Sequence, residues 1–137
     1  MLESVQVDYP HPYPPRVSEF SQTFWDALAE GRFLTTRSVS TSRLTFPPKP
    51  LSPDDWSTDM EWVELSGEGT LYSHTTIHAS PTAFIAELPY TLCIVDLDEG
   101  LRLATRYIGD TPPQIGGRVR LVTVHHTDRV SYAARAH

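Results

Sequence analysis

Tyr90-Thr91-Leu92-Cys93-Ile94-Val95-Asp96-Leu97-Asp98-Glu99-Gly100-Leu101-Arg102-Leu103-Ala104-Thr105-Arg106-Tyr107-Ile108 reads as two strands joined by a tight turn. Residues 90–97 are nearly continuously apolar, the pattern of a strand buried on both faces or closed into a barrel. Asp98, Glu99 and Gly100 supply hairpin chemistry, and residues 101–108 return. Upstream the side-chain period is again two. Residues 61–66 form a first short strand and Gly67 and Gly69 flank a bend or bulge. Residues 70–78 then alternate, with Leu71, Ser73, Thr75 and Ile77 on one face, and residues 81–89 form a loop with an apolar centre at Phe84 and Ile85. Downstream, Gly116 and Gly117 precede a strand over residues 118–125, Asp128 makes a turn, and residues 130–134 add a last short strand. Five or six strands without a second helix predict a mainly β protein. Its span 59–137 closes into a small barrel, because closure removes exposed edges.

The first 58 residues read differently. Residues 1–17 contain Pro10, Pro12, Pro14 and Pro15 and form an extended arm, since proline fixes φ and removes a backbone donor. Residues 18–33 centre on a helix over about 18–30, with Ser18 as cap, Glu19 at the positive end and Gly31 at the exit. Phe20, Phe24 and Leu28 recur every four residues, and Trp25 and Ala27 widen the stripe. Such a stripe is either core or partner surface. Residues 34–58 have weak periodicity, many serines and threonines, and a second proline group at Pro47, Pro48, Pro50 and Pro53. A segment of this kind buries too little apolar area to fold alone and ordinarily depends on a metal or a disulfide.

Composition narrows the function. Eleven basic side chains, with Lys49 the single lysine, face 17 acidic ones for a formal charge of −6. That balance argues against a non-specific nucleic-acid binder, which needs cations to displace phosphate counterions. Apolar runs such as residues 92–95 are too short to span a bilayer. Glu3 and Asp8 near the start do not fit a secretory leader. The single cysteine, Cys93, excludes an internal disulfide and fits a reducing compartment, so a cytoplasmic location without membrane contact is expected.

The candidate chemistry is sparse. His74 and His78 share a strand face but lie about 13 Å apart at four strand residues, too far to share an ion. His125 and His126 point to opposite faces, and His11 and His137 lie near the ends. Cys93 has Leu92 and Ile94 as neighbours and reads as a small core residue rather than a nucleophile. Asp96, Asp98 and Glu99 are explained by the turn at Gly100. Arg102 and Arg106 share one strand face, and Arg118 and Arg120 another. If those strands are neighbours, four guanidinium groups form a patch for phosphates or an acidic partner; otherwise they are a solvated barrel face.

Several blocks resemble a known family. They are Phe24-Trp25, then Glu30-Gly31-Arg32-Phe33-Leu34, then Phe46-Pro47-Pro48-Lys49-Pro50. Glu61-Trp62-Val63-Glu64-Leu65-Ser66-Gly67-Glu68-Gly69-Thr70-Leu71-Tyr72-Ser73 follows, then Pro89-Tyr90, Val95-Asp96-Leu97-Asp98-Glu99-Gly100 and Arg102-Leu103. In this order, over about residues 18–125, they resemble the zinc-ribbon-plus-OB-fold proteins, long catalogued as a domain of unknown function, that accompany thiolase-like and other acyl-CoA enzymes. The resemblance implies an OB-fold barrel over residues 59–137 behind a rubredoxin- or ribbon-like segment over residues 34–58. It places two Cys-x-x-Cys knuckles where this chain has Ser38 and Thr41, then Ser52 and Asp55. Structural zinc needs four closed, largely thiolate ligands, so the expectation is no zinc and a degenerate ribbon held by packing.

The resemblance further implies a non-catalytic accessory subunit in a hetero-oligomer with a thiolase-like, hydratase or aldolase chain. Phe24, Trp25, Phe33, Phe46 and Trp56 are the expected interface. No cofactor would be tightly bound, and the arginine patch would meet the partner's coenzyme A thioester. A small independent enzyme on acyl or polyketide-type substrates is the alternative, and a single-strand nucleic-acid binder the third reading.

Overall fold

A barrel closes where the alternating residues of five strands turn inward together. The computed structural model describes residues 1–12, 15–79 and 88–137. Its elements are β1 (Glu3–Gln6), α1 (Glu19–Ala29), β2 (Phe33–Ser38), β3 (Leu44–Thr45), β4 (Met60–Leu65), β5 (Glu68–Ile77), β6 (Tyr90–Leu97), β7 (Arg102–Tyr107), β8 (Arg118–His125) and β9 (Val130–Ala136). Strands β5, β6 and β7 form an antiparallel meander, β7 meets β9 in parallel, β9 runs antiparallel to β8, and β8 returns to β5. Each of the five therefore has two neighbours, the closed OB topology. Leu71, Val95, Leu97, Leu103, Val119 and Leu121 fill the interior.

Gly69 marks the tight crossing between β5 and β6. A Cβ built there would stand against the Asp96 carbonyl oxygen closer than real contacts allow, so a side chain is excluded. The bend expected between Gly67 and Gly69 falls at the β4–β5 junction, where Gly67 stands at φ +79°, while β5 itself shifts register further on, between Leu71 and Ser73. The hairpin at Asp98-Glu99-Gly100 closes through Leu101, whose carbonyl accepts from the Leu97 amide at 2.7 Å, with Gly100 at φ +98°. The expected loop centre at Phe84 and Ile85 lies outside the described residues.

Two placements depart from the sequence reading. The arm expected over residues 1–17 begins with a true strand. β5 pairs only with residues 118–120 of β8, and β1 takes the remaining edge in parallel, Glu3↔Val122 to Gln6↔His125. Strand β4, assigned from sequence to the barrel span, instead forms a separate three-stranded sheet with β2 and β3 in the order β3-β2-β4. Its pairing with β2 runs unbroken from Phe33↔Leu65 to Ser38↔Met60.

Helix α1 is fixed at both ends. Ser18 accepts from the Ser21 amide at 3.0 Å, and the Ser21 hydroxyl accepts from the Ser18 amide at 2.8 Å, a reciprocal capping box. At the exit the Gly31 amide reaches the Leu28 carbonyl and the Arg32 amide the Ala27 carbonyl, with Gly31 at φ +82°. The helix buries Phe24, Ala27 and Leu28. Phe24 meets Phe33 of β2, Phe46 and Tyr132 of β9 at ring separations of 5.5, 5.9 and 6.2 Å. This aromatic hub joins helix, ribbon sheet and barrel into one core.

Candidate functional site

The barrel exterior decides what this chain can touch. Position 92 was read within a strand buried on both faces or closed into a barrel, and the barrel holds: Cys93, Val95 and Leu97 point in while Leu92 stays exposed. On the same outer surface Arg102 lies over the Tyr72 ring at 3.7 Å and Arg106 over the Tyr90 ring at 4.0 Å. Tyr72, Tyr90 and Leu92 were not singled out from sequence. Their signal was the outward half of the alternation, legible only once the strands close.

The four arginines do not form one bare patch. β7 and β8 are not neighbours on the β9 side, because β9 lies between them. Across the other side, Arg102, Asp96, Thr70 and Arg118 form a row through successive partners on β7, β6, β5 and β8. Arg102 donates to both Asp96 oxygens at 2.6 and 3.1 Å, and Arg118 to both Asp98 oxygens at 2.8 Å. These bonds from arginine hold both carboxyls below the usual carboxylate range. Arg120 pairs with Glu3 at 2.9 Å, and Arg135 shares the same carboxylate. A phosphate would have to displace a carboxylate at Arg102, Arg118 and Arg120.

The expected interface residues separate into two groups. Phe33 is fully buried and Phe24 is 3% exposed, while Trp25 and Phe46 pack partly buried against the same core. The helix stripe and the ribbon aromatics therefore serve internal packing, because β2 lays its Phe33 between α1 and β9. Trp56 is different. At 76% exposed and φ +61°, it stands on a turn with its indole in solvent.

Three further titratable groups serve the fold, Cys93, Tyr132 and Glu99. Cys93 is buried, and burial pushes its thiol up to about 11. Burial likewise pushes the Tyr132 hydroxyl up to about 12. Glu99 accepts from the Ser66 amide at 2.7 Å and braces the turn. His11 and His126 come together at a ring separation of 4.8 Å, a convergence the sequence does not reveal. Among the described residues no group of three or more His, Cys, Asp or Glu could hold a metal ion. Ser38, Thr41, Ser52 and Asp55 offer three hydroxyls and one carboxylate, a donor set that does not fit structural zinc. Among the described residues no helix is long and apolar enough to cross a membrane.

Comparison with known proteins places this geometry. Residues 62–124 match the family model described as "ChsH2, C-terminal OB-fold domain". The chain is 33% identical over 102 residues to a probable enoyl-CoA hydratase alpha subunit of Thermomonospora curvata, covering 74% of this chain and 31% of that one. It is 29% identical over 121 residues to the 3-oxo-4,17-pregnadiene-20-carboxyl-CoA hydratase alpha subunit of Mycobacterium tuberculosis, 87% of this chain and 38% of that one. A DUF35 domain-containing scaffold protein of Methanocaldococcus jannaschii is 30% identical over 71 residues, 51% of this chain and 50% of its own length. The chain thus spans 31% to 50% of the length of these curated relatives. A solved chain of an "Ltp2-ChsH2(DUF35) aldolase" superposes with a TM-score of 0.77 at 28% identity, covering 90% of this chain and 98% of that one. A DUF35-family protein from Sulfolobus solfataricus, at 12% identity and a TM-score of 0.62, shares the fold. Residues 62–124 are thus similar to the ChsH2 C-terminal OB-fold domain, in a chain similar to the DUF35 scaffold proteins.

Proposed function

We propose that this chain is a non-catalytic accessory subunit that binds and supports a larger acyl-CoA enzyme of the hydratase, aldolase or thiolase-like kind. The observation that carries the reading is its superposition, over nearly the whole of both chains, on a component of an aldolase named for two proteins. Similarity to two hydratase alpha subunits supports the acyl-CoA setting. The chemistry of the surface supports a binding role, since Asp96, Asp98 and Glu99 are committed to ion pairs or to bracing a turn.

Two surfaces suit such a partner. Trp56 is an exposed aromatic anchor, and the outer face of β5, β6 and β7 presents Tyr72, Leu92, Arg102 and Arg106. Tyrosine, tryptophan and arginine are the side chains that dominate binding energy at interfaces. The test is co-elution of the chain with hydratase-, aldolase- and thiolase-like chains from the same genome. One should form a stable complex, and Trp56→Ala should weaken it about 30-fold, the loss of one hot-spot contact. Full turnover of an acyl-CoA substrate by the isolated chain would refute the proposal, as would failure of all these chains to bind.

A further inference from the structure

Two five-residue turns in the ribbon, Ser38-Val39-Ser40-Thr41-Ser42 and Ser52-Pro53-Asp54-Asp55-Trp56, repeat one another in backbone chemistry. Each opens on a buried serine. In the first, the Thr41 amide donates to Ser38 Oγ at 3.3 Å and the Ser42 amide to the Ser38 carbonyl at 2.8 Å. In the second, the Asp54 amide donates to Ser52 Oγ at 3.3 Å and the Trp56 amide to the Ser52 carbonyl at 2.9 Å. Both fifth residues, Ser42 and Trp56, stand at φ +61°. A non-glycine side chain in that region is strained, and its occurrence twice at equivalent places needs something that holds both turns.

The link between them is a chain of side-chain hydrogen bonds. Ser38 Oγ and Ser40 Oγ are 3.1 Å apart, and the Ser40 hydroxyl donates across the gap to Asp55 Oδ2 at 3.1 Å. The Ser57 amide donates to Asp55 Oδ1 at 3.0 Å. A second bridge, from Arg43 Nη1 to Asp54 Oδ1 at 3.2 Å, joins the same turns, and the Val39 amide reaches the Asp59 carbonyl at 3.0 Å. Ser38, Thr41, Ser52 and Asp55, the positions at which a zinc ribbon would carry its ligands, instead frame this network.

We infer that the paired turns are a metal-independent staple, in which the Ser40–Asp55 hydrogen bond does the joining that an ion does in a zinc ribbon and fixes the turn that displays Trp56. The network accounts for the Asp55 carboxyl, held below its usual range first by the Ser57 amide and then by the Ser40 hydroxyl. The neighbouring Asp54 carboxylate of the same turn is paired with Arg43 at 3.2 Å. None of this depends on the identity of a partner enzyme.

The experiment uses the full chain and three variants. Protein produced with zinc in excess should contain no stoichiometric metal, and a strong chelator should leave its melting temperature unchanged. Ser40→Ala and Asp55→Ala should each speed amide exchange of Val39, Ser42 and Trp56 by about ten- to a hundredfold, the loss of a hydrogen bond to a charged acceptor. Exchange in the barrel strands β6 and β8 should stay at the wild-type rate, which separates loss of the staple from general unfolding. The variant Ser38→Cys, Thr41→Cys, Ser52→Cys, Asp55→Cys should gain one zinc ion and become sensitive to chelator, because these are the positions at which the resembled ribbon carries its thiolates. Stoichiometric zinc in the natural chain, wild-type exchange in both single variants, or a four-cysteine variant that ignores zinc would each overturn the inference.

Discussion

Phe33→Ala separates a core residue from an interface residue within the same aromatic set. Phe33 is fully buried, and its ring lies 5.5 Å from Phe24, 5.3 Å from Phe46 and 5.4 Å from Tyr132. Removing it empties the point where α1, the ribbon and β9 meet, and truncation of a buried phenylalanine costs about 3–5 kcal/mol. Domains of this size have about 5–15 kcal/mol of stability in total. At about 3–4 °C per kcal/mol, the melting temperature should fall by some 10–20 °C, roughly interpolated between smaller and larger domains. The assay is urea unfolding followed by near-ultraviolet dichroism, with a midpoint that drops while the slope stays constant. Trp56→Ala is the control: its exposed indole should leave monomer stability within about 0.5 kcal/mol. A loss under about 1 kcal/mol for Phe33→Ala would refute the hub as the joint between ribbon and barrel.

Ser18→Ala removes the acceptor of the capping box and should cost about 1 kcal/mol, measured by the same unfolding curves. Cys93 should resist a thiol reagent at neutral pH in the folded chain and react fully in denaturant, since burial raises its pKa to about 11; stoichiometric labelling of the native protein would contradict its placement. Asp55, Asp96, Asp98 and Asp128 all have folded pKa values below their unfolded ones, so the folded chain binds fewer protons. Their contribution is complete above the unfolded value of about 3.9 and is lost as pH falls through the folded values, so stability should decline below about pH 4. Asp96→Asn and Asp98→Asn together should flatten that decline.

The barrel was legible because its information is local. Residues 90–97 and 118–125 announced themselves by apolar content and flanking turns, and both strands have the boundaries read from sequence. β1 was not legible, because it exists only where β5 leaves an edge of β8 open, and four residues beside a proline-rich run carry no pattern of their own. β2 was hidden for a different reason. Thr35 and Thr36 are fully buried, a polarity that argues against a core strand until their partners are known. The Thr35 hydroxyl donates to the Thr45 carbonyl, and Thr36 Oγ accepts from the Lys49 amide at 2.9 Å, so the folded sheet satisfies them. Which of the two readings of the four arginines applies was not legible, because strand adjacency is topological. Side-chain spacing gave the right faces, but the intervening β9 and the ion pairs with Asp96, Asp98 and Glu3 could not be read from the chain.

If the paired turns act as proposed, the ribbon-like segment dispenses with thiolates because it is not an isolated module. Zinc supplies about 10–16 kcal/mol of binding free energy to small fingers that have no other core. Here β2 and β4 bury Phe33 and Leu65 in the core shared with the helix and barrel. Two such side chains are worth roughly 3–6 kcal/mol together, a part of what the ion contributes to such fingers. Ion pairs Arg37–Glu61 at 2.5 Å and Arg32–Glu64 at 2.9 Å, on opposite faces of the sheet, tie β2 and its entry to β4. What packing cannot do is fix the two distal turns, which lie beyond the apolar rows, and there the Ser40–Asp55 bond acts. The division of labour makes the ribbon's root insensitive to Asp55 while its tip, and with it the presentation of Trp56, depends on that one carboxylate.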